Sequence, residues 1–185
     1  GFSTIVDLLG LDQTVFLKSY NAVVIAHELD AVGRIFDTKV KRPYAKLPDA
    51  VKEANYPVAS SASELRIRHV SSEGEPEDSL IYVATSGRSG THQFVHISEM
   101  GKIARKYPER ANEIISGTFP TVHEGGLCVV ESTAEGSGGA FYQMVKEAQK
   151  LEQSGRGARF GEFTLHFYPW WRDEKYQMDP DGIVV

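Results

Sequence analysis

The chain has 185 residues, 41% of them apolar and 24% charged, the balance of a soluble globular domain rather than a disordered segment. A formal net charge of -5 argues against nucleic-acid binding by the surface as a whole, but leaves room for a local basic track. No apolar run approaches the ~20 residues of a membrane span, and no signal peptide is visible.

Ser3 to about Lys18 is predicted to be a helix, with Ile5, Leu8, Leu9, Val15 and Phe16 near one face and Gly10 in the middle. Ala22-Val23-Val24-Ile25-Ala26 is an unbroken apolar run, the pattern of a strand covered on both faces. His27 and Glu28 lead into a second helix carrying Ala31, Val32, Ile35 and Phe36. A basic, proline-punctuated stretch from Lys39 to Pro48 follows. Leu65 to His69 alternates apolar and basic residues, and Leu80 to Ala84 returns after an acidic turn, Ser71 to Ser79. The two are predicted to pair as an antiparallel hairpin appended to the main sheet.

The loop Thr85-Ser86-Gly87-Arg88-Ser89-Gly90-Thr91 feeds Phe94-Val95-His96-Ile97-Ser98, a buried strand that ends in Glu99. An ionised side chain leaving an apolar strand must be paired or solvated. Open α/β sheets place their ligands at this carboxyl edge. Pro108 to Ile115 is predicted helical. Leu127 to Val130 is a second strand with a polar end, Glu131-Ser132-Thr133. After the glycine-rich turn Gly136 to Gly139 comes a helix from about Ala140 to Gln153. Its stripe of Phe141, Met144, Val145, Ala148 and Leu151 has the pattern of a core face. Phe163 to Tyr168 is predicted to be a last strand, stopped by Pro169. Strands alternating with helices indicate an α/β fold with a largely parallel sheet.

The chemistry these residues suit is phosphate chemistry. Gly1 allows close backbone approach at a helix start, and Ser3 or Thr4 supplies a hydroxyl for a metal. An ordinary glycine turn and helix cap would read the same way. Glu99 is placed to orient an attacking water, or to cap a helix from the surface. Glu131 and Thr133 end a strand where a polar group would meet a terminal phosphate, or cap the helix beyond. Cys128, the single cysteine, reads as an inert core thiol. The histidines lack metal-ligand spacing, and no serine sits in a Gly-x-Ser-x-Gly elbow.

The Thr85 to Thr91 loop, His96-Ile97-Ser98-Glu99, and Glu131-Ser132-Thr133-Ala134-Glu135-Gly136 with Gly139 and Phe141-Tyr142 together resemble the large terminase subunit of tailed bacteriophages. The Ala22 to His27 strand, and the Pro169-Trp170-Trp171 exit with Tyr176, extend the likeness over nearly the whole chain. The resemblance implies a P-loop ATPase of the additional-strand, catalytic-glutamate class, which packages double-stranded DNA into a procapsid. Residues 1–168 would form the ATPase domain, lacking its first strand and half its phosphate loop. Residues 169–185 would begin a linker toward an absent nuclease domain.

By the same resemblance, Gly1, Phe2, Ser3 and Thr4 match the end of the phosphate loop, with Ser3 and Ser98 beside the metal. Glu99 matches the catalytic glutamate. Ser132 and Thr133 match the motif coupling hydrolysis to movement, and Arg88 lies in a loop that would reach a phosphate or DNA. ATP and Mg²⁺ are the implied cofactors. Double-stranded DNA, a portal protein, a small terminase subunit and further copies in a ring are the implied partners, in the cytoplasm of a bacterial host. Two departures stand out: Phe2 occupies a place common for Lys, and Ser98 one common for a metal-orienting Asp. Without the first strand, expected between the Leu127 and Phe163 strands, this stretch alone is expected to bind ATP poorly. A helicase-like or DNA-repair ATPase and a non-catalytic binding module are the alternative readings.

Overall fold

The computed structural model describes residues 1–70, 76–173 and 175. The predicted turn at 71–75, Tyr176 and the acidic tail through Asp181 lie outside them. The described residues divide into two compact units, parting between Gln143 and Met144.

The first unit is built on a mixed six-stranded sheet in the order β2-β3-β4-β1-β5-β6. Its strands are β1 (Asn21–Ile25), β2 (Asn55–Ser60), β3 (Glu64–His69), β4 (Glu77–Ala84), β5 (His92–Ser98) and β6 (Val122–Glu131). β1 pairs in parallel with β4 and β5, and β5 in parallel with β6. β2, β3 and β4 form an antiparallel segment. The predicted hairpin is therefore present, but β4 is also a full member of the parallel sheet. The edge strand β2 had no clear signature in the sequence. It is exposed along most of its length and interrupted at Pro57, where the register shifts, as an edge tolerates.

The apolar run of β1 is fully enclosed, with Ala22 to Ala26 all at 0% exposure. Alternate residues serve opposite faces. Ala22, Val24 and Ala26 join a core with Val6, Leu11 and Val15 of helix α1 (Phe2–Phe16). Ala31 and Val32 of α2 (Leu29–Ile35) belong to the same core. Val23 and Ile25 point the other way, against Gly87 and Thr118. The helix after β1 does not stop at the basic stretch. It widens into a π turn over Phe36–Lys41 and resumes as α3 (Arg42–Ala45), with Pro43, which has no N–H to donate, directly after the widened turn. A short helix α4 (Asp49–Ala54) then leads into β2.

Gly10 has a packing reason. A Cβ there would lie 2.7 Å from Cε1 of Phe94, a ring with no exposure. Gly10→Ala gains up to about 1 kcal/mol of helix propensity but overpacks a rigid core ring. The expected net result is a loss of about 1–2 kcal/mol in urea unfolding.

On the far side of Glu99 the chain forms α5 (Met100–Lys106) and α6 (Pro108–Glu113). A π turn at Ile114–Thr118 and a 3-10 turn at Phe119–Thr121 carry it into β6. Helix α7 (Gly139–Gln153) forms as expected, but only Ala148 on it is buried. Phe141, Met144, Val145 and Leu151 remain partly exposed, so the stripe is not a closed core face among the described residues.

One predicted strand is corrected. Phe163 to Tyr168 has no strand geometry: residues 162–169 are irregular, and Phe167 and Tyr168 are about 70% exposed. Alternating apolar residues make a strand only where a neighbouring ladder accepts their N–H and C=O groups. The second unit is held locally instead. Arg156 forks onto both oxygens of Glu162 at 2.8 and 2.7 Å, and Phe167 meets Trp171 edge-on at 6.0 Å.

Among the described residues, no helix is long and apolar enough to cross a membrane.

Candidate functional site

The parallel strands β1, β5 and β6 end on one edge of the sheet. The start of α1 meets that same edge. Ser3 Oγ donates to Glu131 Oε1 at 2.8 Å, and Ser98 Oγ donates to the same oxygen at 2.9 Å. One carboxylate at the end of β6 thus gathers hydroxyls from the first turn of α1 and the last residue of β5. The register explains the meeting, since Ser98 lies directly opposite Glu131.

Behind this cluster lies a buried ion pair. His96 Nδ1 donates to Asp7 Oδ1 at 2.7 Å, with the two side chains 0% and 4% exposed. His96 precedes Ser98 by two on β5 and so shares its face. Asp7 follows Ser3 by four on α1 and shares its face. His96 Nε2 lies 3.5 Å from Glu131 Oε1 and has no hydrogen-bond partner among the described residues, so this contact is an ion pair only. Burial disfavours the His96 cation, but hydrogen bonding to Asp7 and the charges of Asp7 and Glu131 outweigh it and raise its pKa. Burial likewise pushes the Glu131 carboxyl up, and His96, Ser3 and Ser98 together overcome it and hold the group below its ordinary value.

Glu99 is the backbone outlier of the site. Its φ of 60° and ψ of 44° are left-handed, a conformation that costs a residue with a Cβ about 1–2 kcal/mol. Strain of this kind collects at functional positions. The turn aims Glu99 along α5, where Oε1 pairs with Lys102 at 3.1 Å while the buried Oε2 has no partner among the described residues. Two further cations of α5 reach other loops of the same edge. Arg105 pairs with Glu135 beyond β6 at 3.0 Å, and Lys106 with Glu28 beyond β1 at 2.6 Å. They border a cleft of about 540 Å³ that also takes in His27, Lys102 and Tyr107.

The remaining sequence candidates have other neighbours. Gly1 caps α1, its carbonyl accepting from Thr4 N at 3.1 Å. Phe2 is half-exposed. Thr4 Oγ1 accepts from Lys39 Nζ, which the π turn after α2 carries to the start of α1. Ser132 Oγ accepts from Gly101 N at 3.0 Å and so satisfies a free N–H of the first turn of α5. Thr133 is exposed. Arg88 pairs with Glu113 at 2.7 Å and packs on Gly117, rather than joining the Ser3–Glu131 cluster. Cys128 is half-buried rather than a closed core residue, and burial pushes its thiol up to about 12.

Sequence reasoning passed over Asp7 and Lys39 and gave His96 only a structural or solvated role. The signal for Asp7 and His96 was present in the helical and strand periods linking them to Ser3 and Ser98. Nothing local announces Lys39, because its partner is 35 residues away.

His92 sits at the opposite end of β5 with a settled hydrogen-bond pattern. Thr121 Oγ1 donates to Thr118 O, so it accepts from His92 Nδ1, and Tyr82 O–H donates to Nε2, both at 2.8 Å. This network holds a neutral imidazole, and burial lowers its pKa. The unfolded chain therefore binds the extra proton first. The stability that His92 contributes is full above the unfolded value near pH ~6.5 and declines as pH falls toward the folded one, while the raised pKa of His96 acts in the opposite sense. The difference in thermal midpoint between the parent and His92→Gln is therefore expected to shrink from pH 7 to 5.

Comparison with protein-family models, curated proteins and solved structures gave no match in any of the three.

Proposed function

We propose that this chain is the core of an ATP-hydrolysing, DNA-translocating motor related to the large terminase subunit. The observation that carries the reading is the convergence of the α1 start, the end of β5 and the end of β6 upon Glu131. A triphosphate and its metal need a helix N-terminus, a metal-side oxygen and a water-orienting acid on one sheet edge. Ser3, Ser98 and Glu99 are drawn from the elements that meet there.

Three features support the reading. Glu99 holds a strained turn with one carboxylate oxygen unpartnered among the described residues, as suits an acid kept for a ligand. Lys39 reaches the start of α1 and offers a cation where Phe2 offers none. Among the described residues the sheet ends at β6, with no strand paired along its outer edge, and Leu127 on it is 43% exposed. Ile5, Leu9 and Phe16 of α1 are exposed as well. The reading expects a strand leading into Gly1 to lie along that edge, because α1 begins beside the carboxyl end of β6.

Residues able to hold the implied magnesium fit by chemistry. Hydroxyl and carboxylate oxygens suit a hard divalent cation. It would supply Lewis-acid charge to the phosphates; the chain's own part is to position oxygens and, through Glu99, to accept a proton from water. Among the described residues, no cluster of three or more His, Cys, Asp or Glu could hold a metal, so a cation here depends on the hydroxyls.

The test is phosphate release from ATP by the chain extended upstream of Gly1, with and without double-stranded DNA. Turnover stimulated by DNA is expected. Background rates under both conditions would remove the motor reading and favour a non-catalytic binding module.

A further inference from the structure

We infer that the outward face of the helix running from α2 through the π turn into α3 binds the phosphate backbone of duplex DNA. Calling the polyanion DNA rests on the motor reading; the face itself rests on charge and geometry. Residues 34–46 hold five cations, Arg34, Lys39, Lys41, Arg42 and Lys46, against one acid, Asp37, in a chain of net charge -5. Lys39 is engaged by Thr4 at the start of α1. The other four cations are exposed.

The fold lines them up. Val32, Phe36, Val40 and Tyr44 are all buried, one every four residues. In a plain α-helix that spacing drifts around the axis by about 40° at each step. The wider turn over Phe36–Lys41 offsets the drift and keeps the apolar row on the core. The exposed row inherits the same spacing: Arg34, Thr38, Arg42 and Lys46, with Lys41 at its flank. Backbone angles stay helical across both junctions, so the row is continuous. From Arg34 to Lys46 it runs about 18 Å, the span of about five phosphates along one strand of a duplex.

These cations are also available. Among the described residues, Arg34, Lys41 and Lys46 have no carboxylate partner. Arg42 pairs with Asp37 at 2.9 Å with both side chains open to solvent, a surface pair that a phosphate can displace. The cations of the carboxyl edge differ, since Lys102, Arg105 and Lys106 each meet a carboxylate. Arg88, the loop cation suited to DNA by its sequence, is held by Glu113. The DNA contact therefore falls on the α2–α3 face.

Binding of a short labelled DNA duplex to the 185-residue chain, without nucleotide, tests this by fluorescence anisotropy as salt rises from about 50 to about 200 mM. The parent is expected to bind with an affinity that falls steeply with salt and is indifferent to base sequence. The triple variant Arg34→Gln, Lys41→Gln, Lys46→Gln is expected to bind at least about tenfold more weakly at the lowest salt. Its slope of log K against log salt should be shallower by about three. Gln keeps the helix propensity, and circular dichroism and the thermal midpoint establish that the variant folds. Should it not fold, Lys41→Gln alone replaces it, with a slope shallower by about one. The control Lys18→Gln, Lys146→Gln, Lys150→Gln removes the same charge from other exposed positions and is expected to bind within about threefold of the parent. No binding by the parent at low salt, or equal losses in the two triple variants, overturns the inference. Displacement of the duplex by poly-glutamate at equal charge concentration also overturns it and assigns the face to an acidic protein. Duplex binding through this face without DNA-stimulated turnover in the extended chain would remove the motor reading and leave the surface. DNA-stimulated turnover with duplex binding indifferent to the triple variant would do the reverse.

Discussion

Asp7→Ala is expected to destabilise the fold by about 2–4 kcal/mol, a large part of the margin of a single domain. Asp7 is 3% exposed and His96 0%, so water is poorly placed to replace the lost carboxylate. The His96 Nδ1–H would lose its acceptor, and an unsatisfied buried donor costs about 1–3 kcal/mol. Loss of the charge partner adds to this. A fixed cation left alone would bring the total to about 3–5 kcal/mol, but an imidazole can shed its proton and so limits the damage. Asp7→Asn keeps an oxygen acceptor and should lose about half as much. Urea denaturation measures both, and a midpoint within error of the parent for Asp7→Ala would mean that the pair contributes nothing to stability.

On the motor function proposed above, Glu99→Gln, made in the chain extended upstream of Gly1, is expected to lower ATP turnover by about 10²–10⁴-fold, the usual range for loss of a general base. The amide keeps the volume of the side chain and its capacity to hydrogen-bond, but cannot accept a proton from water. Glu99 is 24% exposed in its side chain, and its ion pair to Lys102 is of the surface kind worth about 0–1 kcal/mol. The fold should therefore survive, and nucleotide binding should change little. Turnover within threefold of the parent would exclude Glu99 as the base and, with it, the residue roles proposed for this edge.

How far the site was legible differs from residue to residue. Ser98, Glu99 and Glu131 were readable as the polar ends of apolar strands. Their partners were not readable as partners. That Ser3 would meet Glu131 across 128 positions depends on the strand order, which places β6 beside β5 and α1 over the parallel strands. Ser132 shows the limit from the other side: a hydroxyl with the right motif around it is occupied in holding the first turn of α5. Arg88 likewise finds Glu113, a neighbour assigned by the path of its loop and not by its own flanking residues.

The sequence by itself determined the α/β class, the buried strands β1 and β5, the helices at either end and the acid after Ser98. Each rests on a local pattern of apolar spacing that its own residues carry. Only the tertiary structure decided that β4 joins the parallel sheet, that residues 162–169 are not a strand, and that Asp7, His96, Ser3, Ser98 and Glu131 form one network. Strand pairing and buried ion pairs depend on which segments lie side by side, and a one-dimensional pattern holds no term for that.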